Sequence, residues 1–161
     1  MFENKKIFIL GMARSGYSAA KLLDLHNNTI LITDSKEQNQ EHVKELEDKG
    51  IRVVISESPE GLLDGSYDFV IKNPGIKINH PVCEKARELN IPITNEVEVA
   101  YDFLPKDIKI IGISGSNGKT TTTTLIYNML KEAGLPAVLG GNIGYPVCSL
   151  VENVKSGDVL V

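Results

Sequence analysis

At 161 residues, 42% hydrophobic and 24% charged, the chain is long enough to bury a core and too apolar to be disordered. Its net charge of −4, with 17 lysines and arginines scattered along it, leaves no basic stripe to neutralise a nucleic-acid backbone, so no nucleic-acid partner is expected. No apolar run approaches the roughly 20 residues that span a bilayer, and Met1-Phe2-Glu3-Asn4-Lys5-Lys6 is unlike a secretory leader, so a cytoplasmic protein without a membrane partner is expected.

The first β-branched run, Ile7-Phe8-Ile9-Leu10, predicts a strand. A glycine turn, Gly11-Met12-Ala13-Arg14-Ser15-Gly16, follows it, then a helix over 16–25 and a strand at Ile30-Leu31-Ile32-Thr33, which together read as a βαβ unit. A charged helix over 40–49, strands over 52–55 and 69–71, and a helix after Asn79-His80-Pro81 continue the pattern, proline suiting a first turn. After a short strand at Ile93-Thr94, Asn95 with Glu98 three residues on makes a capping-box-like start to a helix that ends by Leu104, because Pro105 cannot continue it. Pro105-Lys106-Asp107 is the expected boundary between a first domain, 1–105, and a second, 106–161.

The βα rhythm restarts with a buried strand over 108–114 and a helix over 119–133, stopped by Gly134 and Pro136. Val138-Leu139, a helix over 146–152 and a strand-like run at 158–161 complete the sequence. A parallel sheet of two or three strands cannot cover both its faces, so the second part is expected to be the start of a larger domain. The expected fold class is α/β: a Rossmann-like parallel-sheet domain followed by the start of a P-loop-type ATP-binding domain. Cys83 and Cys148 lie far apart and outside any metal-ligand spacing, which points to buried, reduced thiols. His26, His42 and His80 lie in or beside predicted helices and are expected in surface or capping roles.

The strongest motif is Gly115-Ser116-Asn117-Gly118-Lys119-Thr120-Thr121, set between a strand and a long helix. A glycine-rich turn there lets successive backbone N–H groups point at an anion, and the positive end of the helix adds its field. Lys119 is placed for the β- and γ-phosphates of ATP, and the Thr120 hydroxyl for phosphate-bound magnesium. The general pattern G-x-x-x-x-G-K-[ST] wants glycine where the chain has Ile113, so the strand–turn–helix context carries the reading. A merely structural turn is the competing one.

Gly11, Ala13 and Gly16 stand where a dinucleotide fingerprint has its three glycines, and Asp34 follows Gly16 by 18 residues (34−16). With Ala13 in the middle position the turn suits any pyrophosphate at a helix N-terminus, a nicotinamide dinucleotide or a UDP-sugar alike, or is simply tight. Asn73-Pro74-Gly75-Ile76 closes a strand on the edge where open α/β sheets bind ligands, or is a plain β-turn. Gly140-Gly141-Asn142-Ile143-Gly144 follows a later strand, and Asn142 offers an amide to a substrate oxygen. A nicotinamide-dependent dehydrogenase would leave 115–121 without a purpose; a non-enzymatic P-loop module would bind ATP with no site in the first domain.

In their order along the chain these segments resemble the Mur ligase family, and the resemblance covers essentially all 161 residues. It implies that the first domain holds a UDP moiety within the turn of Gly11, Ala13, Arg14, Ser15 and Gly16. Arg14 and Ser15 would meet the pyrophosphate, Asp34, Ser35 and Lys36 would approach uracil, and Asn73, Pro74 and Gly75 would line the substrate's path. The second domain would bind ATP and magnesium through 115–121, with Lys119 and Thr120 in the catalytic role, Thr120 at the metal, and Asn142 on the muramoyl portion.

The implied reaction phosphorylates the carboxylate of UDP-N-acetylmuramoyl-L-alanine, and the amine of D-glutamate then displaces phosphate, a step in peptidoglycan precursor synthesis. Within the family the leading glycine motif favours the D-glutamate-adding branch. On this resemblance the family's magnesium-binding glutamate would come just after Val161, and its later histidine, modified lysine and third domain are not expected among these residues. These residues alone are therefore expected to be monomeric, not to ligate, and to keep at most weak UDP-substrate binding.

Overall fold

The computed structural model describes residues 1–161 and contains two parallel sheets. The first is assembled from β1 (Lys6–Leu10), α1 (Arg14–Asp24), β2 (Thr29–Asp34), α2 (Gln40–Asp48), β3 (Arg52–Ile55), β4 (Phe69–Lys72), α3 (Pro81–Glu88), β5 (Ile93–Thr94) and α4 (Glu96–Phe103), with strand order β3-β2-β1-β4-β5. This is the Rossmann-like arrangement that alternating β-branched and amphipathic segments predict.

The central strands carry continuous apolar runs, Ile7–Leu10, Ile30–Ile32 and Phe69–Ile71, because both sheet faces are covered. Ile7 and Ile9 pair in register with Ile30 and Ile32. They bury, with Ile71, in one cluster beneath Ala19, Ala20 and Leu23 of α1 and Leu46 of α2. Phe8, Leu10, Leu31 and Val70 face the other way, against Val82, Cys83 and Ala86 of α3.

Polar caps set where the helices begin. Asn39 Oδ1 accepts from the N–H groups of Glu41 (2.8 Å) and His42 (3.3 Å) at the start of α2. His80 Nδ1 accepts from Val82 N–H (3.2 Å) ahead of α3, where Pro81 is the first helical residue, so its expected capping role is seen. Asn95 Oδ1 accepts from Val97 (2.9 Å) and Glu98 (3.1 Å) at α4, so the Asn95 half of the expected capping box forms. In contrast, α1 has no side-chain cap.

The second sheet has three short parallel strands, β6 (Lys109–Ile110), β7 (Ala137–Val138) and β8 (Val159–Leu160), in the order β6-β8-β7, with α5 (Lys119–Glu132) following β6. The buried strand expected over 108–114 pairs regularly only at Lys109–Ile110, and Ile110 is 48% exposed. β6 has one neighbour, and after Ile111 N–H donates to Leu160 carbonyl (2.8 Å) the chain leaves the ladder for the glycine loop. The helix expected over 146–152 is a single 3-10 turn, Val147–Ser149, because its bonds run to the third residue back: Ser149 N–H to Pro146 carbonyl and Leu150 N–H to Val147 carbonyl, both 3.0 Å. A second such turn, Pro59–Leu62, is one the sequence reading did not anticipate. No helix is long and apolar enough to cross a membrane.

The two sheets are joined by a common apolar core. Val147 and Cys148 bury in the same cluster as Ile9, Ala20 and Val99, between α1 and α4. Within it Glu96, 3% exposed, accepts from Cys148 N–H through Oε1 at 2.5 Å, and the Cys148 thiol donates to the Glu96 carbonyl at 3.3 Å. Both cysteines are free and buried, as expected, and burial pushes both thiols up, Cys148 with the Glu96 carboxylate adding to the effect.

Burial raises the Glu96 carboxyl above the ordinary glutamate range, against the pull of the Cys148 N–H. Its folded pKa therefore exceeds its unfolded one, and the folded protein holds the proton more tightly. This carboxyl's contribution to stability falls as pH rises from the ordinary glutamate value through the folded one. Glu96→Gln keeps the acceptor for Cys148 and removes the titration, so urea unfolding from about pH 4 to about pH 8 should show a shallower decline than in the parent. Glu96→Leu orphans the Cys148 N–H and is expected to cost about 1–3 kcal/mol.

Candidate functional site

β1 and β4 are neighbours whose outgoing chains turn to opposite ends of the sheet, toward β2 and β5. Ligands collect at such a switch point, outside the carboxyl ends of the strands. A cleft of about 500 Å³ lies there, lined by Leu10, Gly11, Ala13, Asp34, Ser35, Asn73, Gly75 and Ile76, and also by Glu57, Pro59, Lys77, Asn79 and His80.

Two glycines make the turn at its floor possible. Gly11 has φ +96°, and a Cβ there would stand 2.8 Å from Asn73 Cβ; a Cβ on Gly16 would stand 1.9 Å from the Gly11 carbonyl oxygen. Ala13, at the middle position, has φ −54°, which alanine adopts freely, so the missing third glycine is not needed for the turn. Tyr17 N–H makes the first helical bond, to Ala13 carbonyl (3.0 Å), and with no side-chain cap the N–H groups of Arg14, Ser15 and Gly16 are left for an anion.

Asp34 braces this turn. Its Oδ2 accepts from Met12 N–H (2.8 Å) and its Oδ1 from Lys36 N–H (3.1 Å). Asn73 and Ile76 close a β-turn, Ile76 N–H donating to Asn73 carbonyl (3.0 Å), and the Lys72 ammonium staples both carbonyls, at 3.1 Å and 2.7 Å. The segment is thus a β-turn, and three of its residues, Asn73, Gly75 and Ile76, line the cleft. Lys36 and Pro74 are exposed and outside the lining. The Arg14 guanidinium points away from this cleft, Nη2 donating to the Gly144 carbonyl at 2.7 Å.

A second cleft, of about 440 Å³, opens at the carboxyl edge of the second sheet, lined by Ile111, Gly112, Ile113, Lys119, Thr120, Thr123 and 140–143 among others. Gly118 is the N-cap residue of α5 at φ +76°, a backbone that side-chain-bearing residues rarely adopt, and no side chain caps the helix. The N–H groups of Lys119, Thr120 and Thr121 are therefore left for an anion as well. The Lys119 ammonium folds over the loop, donating to the carbonyls of Gly115 (2.5 Å) and Ser116 (3.3 Å). Thr120 is exposed in the first turn and lines the cleft; Ser116, Asn117 and Thr121 are exposed outside the lining. The threonine run serves the helix too: Thr123 is buried and the Thr124 hydroxyl donates to the Thr120 carbonyl at 2.9 Å.

Asn142 sits at the tip of a closed loop and lines the second cleft. Gly141 N–H donates to Tyr145 carbonyl (2.8 Å) and Gly140 N–H to Val161 carbonyl (3.1 Å). The sequence reading missed Glu57, Pro59, Lys77 and Asn79 on the first cleft. The signals available for them were the prolines at 59 and 81, which start helical turns on the same edge.

Comparison with known proteins sharpens these observations. Residues 5–95, which span the first cleft, match the Mur ligase MurD-like N-terminal domain, and residues 113–156, which span the glycine-rich loop 115–121, match the Mur ligase middle domain. UDP-N-acetylmuramoylalanine–D-glutamate ligase from Streptococcus pyogenes serotype M1 is 45% identical over 161 residues, 99% of this chain and 35% of that protein. The chain thus spans about a third of the length of the curated relatives it matches. Among solved structures, UDP-N-acetylmuramate–alanine ligase from Thermotoga maritima superposes with a TM-score of 0.52 at 28% identity, over 83% of this chain and 30% of that one. A murein peptide ligase from Psychrobacter arcticus shares the fold, with a TM-score of 0.58 at 20% identity over 97% of this chain and 37% of that one. With the first of these matches alone covering more than half of its residues, this chain belongs to the Mur ligase family.

Proposed function

We propose that this chain belongs to an ATP-dependent ligase that joins D-glutamate to the carboxylate of UDP-N-acetylmuramoyl-L-alanine in peptidoglycan precursor synthesis. Residues 1–105 are its UDP-substrate holder and residues 106–161 the start of its ATP-binding domain. The observation that carries this reading is a pair of clefts, each on the carboxyl edge of a parallel sheet and each facing a helix N-terminus with no side-chain cap. A dehydrogenase or a single-site ATP module uses one such cleft and leaves the other idle.

In the first cleft the N–H groups at the start of α1 receive the pyrophosphate, with Gly11, Ala13 and Gly16 shaping the turn. Asp34, Ser35 and Lys36 meet the uracil, and Asn73, Pro74 and Gly75 wall the path toward the muramoyl group. In the second, the N–H groups of 115–121 and the Lys119 ammonium hold the β- and γ-phosphates, and Asn142 offers its amide to the muramoyl substrate.

The substrate carboxylate then bonds to the γ-phosphorus as the bond to the ADP oxygen breaks. The D-glutamate amine attacks the resulting acyl phosphate, and inorganic phosphate leaves. Positioning and charge neutralisation are this chain's contribution. The exposed Thr120 hydroxyl in the first turn of α5 is a hard oxygen donor of the kind a phosphate-bound magnesium takes, and would be this chain's ligand to it. Magnesium, when bound there, offsets the phosphates' negative charge. A cytoplasmic monomer is part of this reading.

Calorimetric titration of the chain with UDP-N-acetylmuramoyl-L-alanine tests it. Weak binding heat that UDP alone competes away is expected, and no heat at millimolar ligand would count against it.

A further inference from the structure

Arg14 opens the helix whose N-terminus faces the first cleft, and its side chain reaches the loop whose residues 140–143 line the second. It is the first residue of α1, and its Nη2 donates to the Gly144 carbonyl at 2.7 Å, across 130 positions of sequence. The loop it reaches is closed by its own backbone. Gly141 N–H is bonded to Tyr145 carbonyl and Gly140 N–H to Val161 carbonyl, and Gly144, at φ +78°, lies so close to Leu139 that a Cβ would stand 2.8 Å from its carbonyl oxygen. A loop closed in this way moves as a unit, so whatever fixes Gly144 also fixes Asn142, two residues earlier on the rim of the second cleft.

We infer that Arg14 is a positioning residue whose guanidinium, by holding the Gly144 carbonyl, sets the place of Asn142 relative to the first cleft. The inference rests on the two-ligand reading above. The carboxylate of one ligand and the γ-phosphorus of the other must meet at about 3–3.5 Å, and a misplacement of about 1 Å costs as much as 100-fold in rate. A tie between the loops of the two clefts acts on that distance. On this assignment the pyrophosphate is met by the Arg14 backbone N–H, while the side chain serves the neighbouring loop.

Arg14→Ala and Arg14→Lys in the full-length ligase separate the possibilities. Arg14→Ala should lower kcat about tenfold with the KM values of the UDP substrate and ATP within about twofold of the parent, because alignment is lost and binding is kept, and Arg14→Lys, which retains a donor, should recover part of it. A rise in the KM of the UDP substrate at unchanged kcat would give the guanidinium to the pyrophosphate and overturn the inference, as would no change at all.

A second measurement does not depend on the reaction. In the 161-residue chain, Arg14→Ala should shift the amide resonances of Gly141, Asn142, Gly144 and Tyr145 together, with the amides of the first-sheet strands unmoved. Unchanged loop resonances would overturn the inference even if the ligase activity stands. Moved resonances in a protein that neither binds the UDP substrate nor turns it over would uphold the tie and sink the functional reading instead.

Discussion

Replacing Gly16 with alanine is expected to lower the unfolding midpoint by about 10 °C, corresponding to about 3 kcal/mol for a chain of this size. The added Cβ would lie 1.9 Å from the Gly11 carbonyl oxygen and 3.5 Å from Ile9 Cγ2, so the obstacle is backbone, which cannot swing aside as a side-chain end does. Relief requires α1 to lift away from β1, which opens the core where Ala19, Ala20 and Leu23 pack on Ile7 and Ile9. The same displacement moves the N–H groups that face the first cleft, so UDP-substrate binding should be lost along with stability. Gly75→Ala is the matched control. It has nothing within 4 Å of the added carbon and should leave the midpoint in place. Thermal unfolding followed by circular dichroism measures both, and equal midpoints for the two variants would show that the close approach at Gly16 is not the constraint described.

Replacing Lys119 with alanine is expected to cost about 100-fold or more in kcat of the full-length ligase, the usual scale for losing one preorganised charge-stabilising donor. In this chain the affinity for magnesium-ATP should fall about 10- to 100-fold, since a hydrogen bond to a charged group contributes about 1.5–3 kcal/mol. The ammonium lies over the loop on the Gly115 and Ser116 carbonyls, beside the N–H groups left for phosphate, so its removal takes both a cation and a brace from the same few residues. The effect should be confined to that loop. Thermal stability and UDP-substrate affinity should stay at the parent values, and a fall in UDP-substrate affinity as large as that for ATP would show that the clefts are not separate sites.

Much of this was legible in the sequence because the physical signals are local. Ile7-Phe8-Ile9-Leu10 and Ile30-Leu31-Ile32 announce strands covered on both faces, and Asn95 and the His80-Pro81 pair announce helix starts that the structure places within a residue. The two glycine turns declared the clefts for the same reason, a turn between a strand and a helix fixing its own backbone.

What stayed hidden depends on partners distant in the chain. β-branching marks Ile110 and Ile111 as strand-like but does not say how many neighbours the strand has, and β6 has one. Over one turn, a period of 3.0 cannot be told from 3.6, so the 3-10 turn at Val147–Ser149 read as a helix. The Glu57 and Pro59 rim is brought in by the β3 to β4 connection. The Arg14 motif fixes a backbone while leaving the guanidinium to find Gly144, 130 positions away.

The central claim is two separate ligand sites at the two helix N-termini. It is tested most directly by amide proton–nitrogen spectra of the labelled chain, titrated first with UDP-N-acetylmuramoyl-L-alanine and then with magnesium-ATP. The UDP substrate is expected to move the amides of Gly11 to Gly16, Asp34 to Lys36 and Asn73 and Gly75, and ATP then to move those of Gly115 to Thr121 with the first set still shifted. Displacement of one ligand by the other from a single set of amides, or silence at the Gly115 to Thr121 amides at saturating ATP, would contradict it.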